Sequence, residues 1–400
     1  MSINLDEYRE VAPKGAIDFL HRLGDMGRDK SFLHVTATRY GGGPAEILRR
    51  LVPMMQNLGI EARWEVISGA QEFFAVAKSF YNALQGQQQV IPAEMYQAYL
   101  EVNRQNAKNL DLEADLVMIH DQQPAALVEH RQKGHWVWRC HLDIAQPQRQ
   151  VWTFLRQFVN RYDAAVFSLP AFTQRLSIPQ YLIYPSIDPL SEKNRELTRS
   201  ETQRILDRLA IPRDKPIILQ VARFDHFSDP LGVINTYHLI RKHHDCRLVL
   251  AGAGVAHDAE GEAVLAKVLE AAAHNPDIHI LQLPPEADLE INALQRAATI
   301  VVQKSLKEGF ASAVAEAMWK GKPVVGGTAS GTRFQILHEI TGYTVHSVEG
   351  AAFRVRYLLN NPELIGRMGA AAREHVRRNF LITRHLSDYL TLLAIFRDGG

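Results

Sequence analysis

The chain has 400 residues, 46% hydrophobic and 22% charged, with a formal net charge of +1. It is too long for one ordinary core, so two domains of roughly 150–200 residues are expected, and the near-neutral charge excludes bulk attraction to nucleic acid or an anionic membrane. Two separated cysteines, Cys140 and Cys246, no basic-then-apolar leader at the start and no apolar run near the ~18 residues of a membrane span predict a cytoplasmic protein.

Residues 31–37 read as a strand that runs into Gly41-Gly42-Gly43. A helix then starts near Pro44, with Ile47, Leu48, Leu51, Met54, Met55 and Leu58 in helical spacing. Proline suits a first helical turn, where a missing N–H costs little. Further strands are predicted at 61–67, 116–120, 135–141, 163–168 and 180–184, with helical patterns between most of them. Residues 185–199 are polar and turn-rich and read as a linker. Strands resume at 216–221, 246–251, 277–283, 299–303 and 323–326. The alternation predicts an α/β protein with two Rossmann-like, doubly wound parallel-sheet domains facing a cleft. The expected domains are residues 1–190 and 191–379, with a last helix near 380–400 crossing back onto the first. Such sheets bind ligands at the carboxyl ends of their strands.

Four constellations fall at those ends. Gly41-Gly42-Gly43 would let backbone approach an anion closely, although a triple glycine can also serve only a tight corner. His120-Asp121-Gln122-Gln123-Pro124 and Trp138-Arg139-Cys140-His141-Leu142-Asp143 both end apolar runs, offering polar groups to sugar hydroxyls and rings to an apolar sugar face. Arg223 follows the first strand of the second half, where a guanidinium can neutralise a diphosphate or simply pair with Asp225. Glu308 and Glu316, eight residues apart, are expected on a loop and about two turns into a helix, on one face. The amides of Gly309, Phe310 and Ala311 would point out of the helix start between them. None of the seventeen histidines has a metal-site spacing such as HExxH, so no metal is expected, and weaker candidates such as His243, His244 and His257 read as surface or packing residues.

The segment Glu308-Gly309-Phe310-Ala311-Ser312-Ala313-Val314-Ala315-Glu316 is similar to the paired-glutamate element of retaining glycosyltransferases with the GT-B fold, glycosyltransferase family four. Thr38-Arg39-Tyr40-Gly41-Gly42-Gly43-Pro44-Ala45-Glu46, Ala62-Arg63-Trp64-Glu65-Val66, the two histidine clusters and Glu316-Ala317-Met318-Trp319-Lys320-Gly321-Lys322-Pro323-Val324 resemble its trehalose-forming branch and the related trehalose phosphorylases. The resemblance spans roughly residues 30–390. It implies retaining transfer of glucose from a nucleotide-diphosphate-glucose to glucose or a similar small acceptor, with no cofactor. It also implies a homodimer whose ligands are a sugar nucleotide and a sugar.

On this resemblance, Arg223 would contact the donor diphosphate, near Gly42 and Gly43. Glu308 and the amides of Gly309, Phe310 and Ala311 would hold the donor glucose, and Glu316 the ribose. His141 would sit at the reacting sugar, which makes His141, Arg223 and Glu308 the catalytic candidates, while Arg39, Glu46 and Asp121 would shape the acceptor side. The chain departs from the family pattern at Ser228, where a lysine is usual in the donor site, at Ala311, where a glycine is usual, and at Ser330, which replaces one of two glycines. A degenerate sugar- or nucleotide-binding protein and a trehalose phosphorylase are the alternative readings.

Overall fold

The computed structural model describes residues 3–39, 43–253 and 259–397; Gly41 and Gly42, expected near the donor diphosphate, lie outside them. The chain divides into two compact units, Met1–Ser186 with Ile382–Gly400, and Ile187–Leu381.

In the first unit, β1 (Ser31–Thr36), β2 (Glu61–Val66), β3 (Leu116–His120), β4 (His135–Cys140), β5 (Ala164–Phe167) and β6 (Gln180–Leu182) form one parallel sheet. Its order is β2-β1-β3-β4-β5-β6. Strands β3 and β5 are buried along their whole length, which is why they read as continuous apolar runs rather than alternating ones. The helix Ile382–Arg397 returns to this unit: Arg384 donates to the carbonyls of Tyr184 at 2.6 Å and Pro185 at 3.0 Å.

In the second unit, β7 (Ile217–Val221), β8 (Arg247–Ala253), β9 (Ile278–Leu283), β10 (Ile300–Gln303), β11 (Val324–Gly326) and β12 (Gly342–Thr344) form a second parallel sheet, ordered β12-β11-β10-β7-β8-β9. Its core joins Ile218, Leu248, Leu250 and Val302 to Val233, Ile234 and Tyr237 of the helix Pro230–Arg241. Each such aliphatic side chain contributes about 1.5–3 kcal/mol through burial. Strand β12 was not among the predicted strands. It is three residues long, and its glycine marks close strand contact rather than a turn: a Cβ on Gly342 would lie 2.2 Å from the Val324 carbonyl oxygen.

The chain runs from β1 to β2 on one side and then crosses back to β3 on the other side of β1; likewise it runs from β7 to β8 and β9 and then crosses back to β10 on the other side of β7. These are the two topological switch points, and the predicted site residues follow the strands around them. Among the described residues no helix is long and apolar enough to cross a membrane.

Candidate active site

Arg223 stands two residues beyond β7. Its Nη2 is 2.9 Å from Asp225 Oδ2, yet its side chain is 63% exposed, so the ion pair forms while the guanidinium stays open to a ligand. Glu308 lies on the loop after the neighbouring β10. Its Oε2 accepts from the Ser305 hydroxyl at 3.3 Å, and its carboxylate also receives the Ala311 amide. Burial pushes this carboxyl up to about 7; Arg223 opposes the rise and Asp225 adds to it. The carboxyl is therefore poised near neutrality. The Ala311 amide, expected to point outward, is directed in this structure at the Glu308 side chain.

The loop is held from behind. A Cβ on Gly331 would lie 2.7 Å from both the Glu308 carbonyl oxygen and the Phe310 amide nitrogen, so only glycine fits that contact. The Gln335 side-chain amide donates to the Phe310 carbonyl and, at 3.0 Å, to that of Gly331. The Phe310 ring is buried against Phe380, with centroids 5.7 Å apart. Ala311 has φ +62° and caps the helix Ser312–Trp319. A left-handed residue stops the helix there, so Glu316 lies little more than one turn in, rather than two. Alanine in this conformation bears a cost of about 1–2 kcal/mol that glycine avoids, which is the physical reason a glycine suits the position.

Glu316 is buried, with Oε2 3.4 Å from Gln295 Nε2 and Oε1 4.0 Å from Lys193 Nζ. The same network holds Lys320, whose Nζ donates to Gln295 Oε1 at 2.7 Å and to Asn194 Oδ1 at 2.8 Å. Burial lowers Lys320 to about 7, against the pull of Glu316. Charges this deeply buried persist only when satisfied in this way.

Ser228 is buried too, its amide donating to Asp225 Oδ1 at 2.8 Å and its carbonyl accepting from Gln220 at 2.8 Å. A cation nevertheless stands beside it. Lys304, the first residue after β10, places Nζ 2.5 Å from Asp229 Oδ2. The Leu306 amide donates to the Phe227 carbonyl at 2.7 Å and ties the two loops together. Lys304, Ser305 and Gln335 were absent from the predicted site. The one signal in the sequence for Lys304 was its place directly after a strand at the switch point.

In the first unit, Asp121 follows β3 with φ +63° and its Oδ1 accepts the His141 amide at 2.7 Å. Burial raises its carboxyl to about 6. His141, just past β4, is half-buried, and its Nε2 lies 2.9 Å from His120 Nδ1. Burial first, then the nearby Arg139, hold His141 well below the ordinary histidine value, so it is neutral. Arg39 is exposed beyond β1, with Nη2 2.6 Å from the Trp64 carbonyl and its guanidinium 5.3 Å from the centroid of the Trp64 ring. Gly43 and Glu46 are exposed in the first turn of the helix Gly43–Asn57, and none of the described residues comes within 4 Å of a Cβ built on Gly43. The fold thus gathers Arg39, Asp121 and His141 at the carboxyl ends of one sheet and Arg223, Ser228 and Glu308 at those of the other, while Glu316 enters a buried polar network.

Two family models match in series, the trehalose synthase N-terminal domain over residues 34–174 and glycosyl transferases group 1 over residues 201–375. The trehalose synthase of Pyrococcus horikoshii is 44% identical over 396 residues, covering 97% of this chain and 95% of that one. The chain belongs to the trehalose synthase family. It is a glycosyltransferase, acting in trehalose metabolism. A trehalose-6-phosphate synthase structure matches with a TM-score of 0.74 at 12% identity, over 91% of this chain and 98% of that chain. An Anabaena protein in complex with UDP and glucose matches with a TM-score of 0.72 at 14% identity, over 92% of this chain and 100% of that chain. At such identities these two show the fold alone, which is GT-B.

Proposed function

We propose that this family member transfers glucose, with retention, from a nucleoside-diphosphate-glucose to glucose, forming trehalose, or to a similar small acceptor. The observation that carries the reading is the pairing, at one switch point, of the open Arg223 guanidinium with the near-neutral Glu308 carboxyl on its clamped loop. Arg223 and Lys304 neutralise the donor diphosphate. Glu308, oriented by the Ala311 amide, and the amides of Gly309 and Phe310 hold the glucose hydroxyls, and Glu316 the ribose. Arg39, Glu46 and Asp121 shape the acceptor side, and His141 meets the reacting sugar. The UDP and glucose held by the Anabaena neighbour support a nucleotide donor.

In the reaction the bond from sugar C1 to the diphosphate oxygen breaks, its electrons leaving with the diphosphate. An acceptor oxygen bonds to C1 on the same face, and its proton passes to the departing phosphate oxygen. No protein nucleophile is needed, so rate comes from positioning and from stabilising leaving-group charge. Incubation with UDP-, ADP- and GDP-glucose plus glucose is expected to release nucleoside diphosphate and a non-reducing disaccharide. No release from any donor by folded protein overturns the reading. Phosphate-dependent formation of glucose 1-phosphate without nucleotide identifies phosphorolysis instead.

A further inference from the structure

Behind His141 lies a row of imidazoles that the proposed reaction does not use. His34 Nδ1 is 3.1 Å from His120 Nε2, and His120 Nδ1 is 2.9 Å from His141 Nε2. The row starts inside β1, crosses to the end of β3 and finishes just past β4. His34 and His120 are fully buried. His34 stacks on Phe32 and on Tyr389 of the returning helix, with ring centroids 4.3 and 5.7 Å away. His34 Nε2 is buried with no hydrogen-bond partner, while the described residues give His141 Nδ1 none either. The inner end of the row is therefore closed by apolar rings, and the outer end is the half-buried His141.

The groups around the row keep it uncharged. Burial first holds His120, His141 and His385 well below the ordinary histidine value; the neighbouring imidazoles and Arg139 add to this at His120, Arg139 at His141, and Arg384 with Arg139 at His385, whose Nδ1 is 3.0 Å from Ser186 Oγ. Burial alone takes His34 to about 3. Asp121 holds the His141 backbone amide rather than a ring nitrogen in the row.

A neutral imidazole has one N–H. Three rings joined by two hydrogen bonds leave one N–H and one lone pair for the two ends, so the tautomers are locked together. If every proton sat on Nε2, the His34 Nε2–H would be buried with no acceptor. If every proton sits on Nδ1, His34 buries a lone pair and His141 presents Nδ1–H outward. Orphaned buried N–H groups are the rarer of the two defects.

We propose that His120, in a row closed at its inner end by His34, is a positioning residue that fixes His141 as the Nδ1–H tautomer, making its outer nitrogen a hydrogen-bond donor to an oxygen of the reacting sugar. The tautomer order stands independently of the proposed reaction; the contact with sugar rests on it. The row also gives a reason for histidines rather than aliphatic residues at buried positions of β1 and β3.

The test is long-range 1H–15N correlation of histidine-15N-labelled protein without ligand, with His141 assigned by loss of its signals in His141→Ala. The expected result is protonated Nδ1 and unprotonated Nε2 at His34, His120 and His141. In His34→Phe the buried inner end passes to His120 Nε2, which the same rule leaves unprotonated, so His120 and His141 are expected to keep Nδ1–H. In His120→Leu the hydrogen bond that orders His141 is gone, and His141 is expected to populate both tautomers, with kcat lowered by at most about tenfold, the scale of one hydrogen bond, and donor KM little changed. A wild-type His141 that carries its proton on Nε2 overturns the proposal, even if neither His34→Phe nor His120→Leu folds. So does a folded His120→Leu protein in which His141 still shows the Nδ1–H tautomer alone. Correct tautomers in a protein inactive with every nucleotide-glucose would instead overturn the proposed reaction while leaving the tautomer order standing.

Discussion

At the first unit's switch point three neutral imidazoles, His34, His120 and His141, are joined ring to ring beside the buried Asp121 and Arg139. At the second unit's switch point the side chains are ion-paired, with Arg223 on Asp225, Lys304 on Asp229 and Glu308 among them. Both points lie where crossovers part on a parallel sheet, so topology alone does not set their chemistry. On the proposed reaction, the difference lies in what each would hold. A sugar hydroxyl is recognised by oriented neutral donors and acceptors, whereas a diphosphate needs cations that can leave one partner for another.

The largest effects should come from the ionic side. Arg223→Ala and Glu308→Gln are each expected to lower turnover by about 100-fold or more, the scale of removing one preorganised charge-stabilising group, measured as kcat with saturating acceptor. Either variant keeping wild-type turnover would erase the assigned contrast. Next, Lys304→Met is expected to raise donor KM about tenfold. Ser228→Lys added to it should recover most of that loss, because residue 228 adjoins Asp229, the partner of Lys304. Failure of the double variant to recover would show that the Lys304 cation acts elsewhere.

A pH effect follows from Glu308. Its folded value of about 7 lies above the ordinary 4.5, so the folded state binds the proton more tightly and loses stability as pH rises from 4.5 through 7. Glu308→Gln removes this loss. Its denaturation midpoint should gain on wild type as pH rises from 4.5 to about 7 and hold that gain above, with the gap shrinking toward pH 4.5. Smaller still, Ala311→Gly should stabilise the protein by about 0.5–1 kcal/mol in urea titration, since relief of left-handed strain outweighs the added freedom of the unfolded chain.

The strands of both sheets were legible because apolar runs with turn signals between them survive burial on two faces; β3 matched its predicted bounds, residues 116–120. Strand β12 was hidden because three residues carry no period. Arg223 stood out as a cation directly after a strand, and Glu308 as the loop member of a glutamate pair eight residues apart. Their partners did not, since Ser305, Gly331 and Gln335 acquire meaning only when the chain returns to touch the loop. The imidazole row was equally hidden. His34, His120 and His141 are separated in sequence and meet only through the parallel register of β1, β3 and β4. The depth of Glu316 in its helix was misread because alanine gives no sign of the left-handed cap that Ala311 forms.

The central claim is the division of labour between the two switch points. Calorimetric titration of UDP, ADP and GDP into wild type, Arg223→Ala and His141→Ala tests it most directly. The account predicts that at least one nucleotide binds wild type, that Arg223→Ala weakens that binding at least tenfold, and that His141→Ala leaves it unchanged. Equal nucleotide affinity in wild type and Arg223→Ala, or loss of binding in His141→Ala alone, would contradict it.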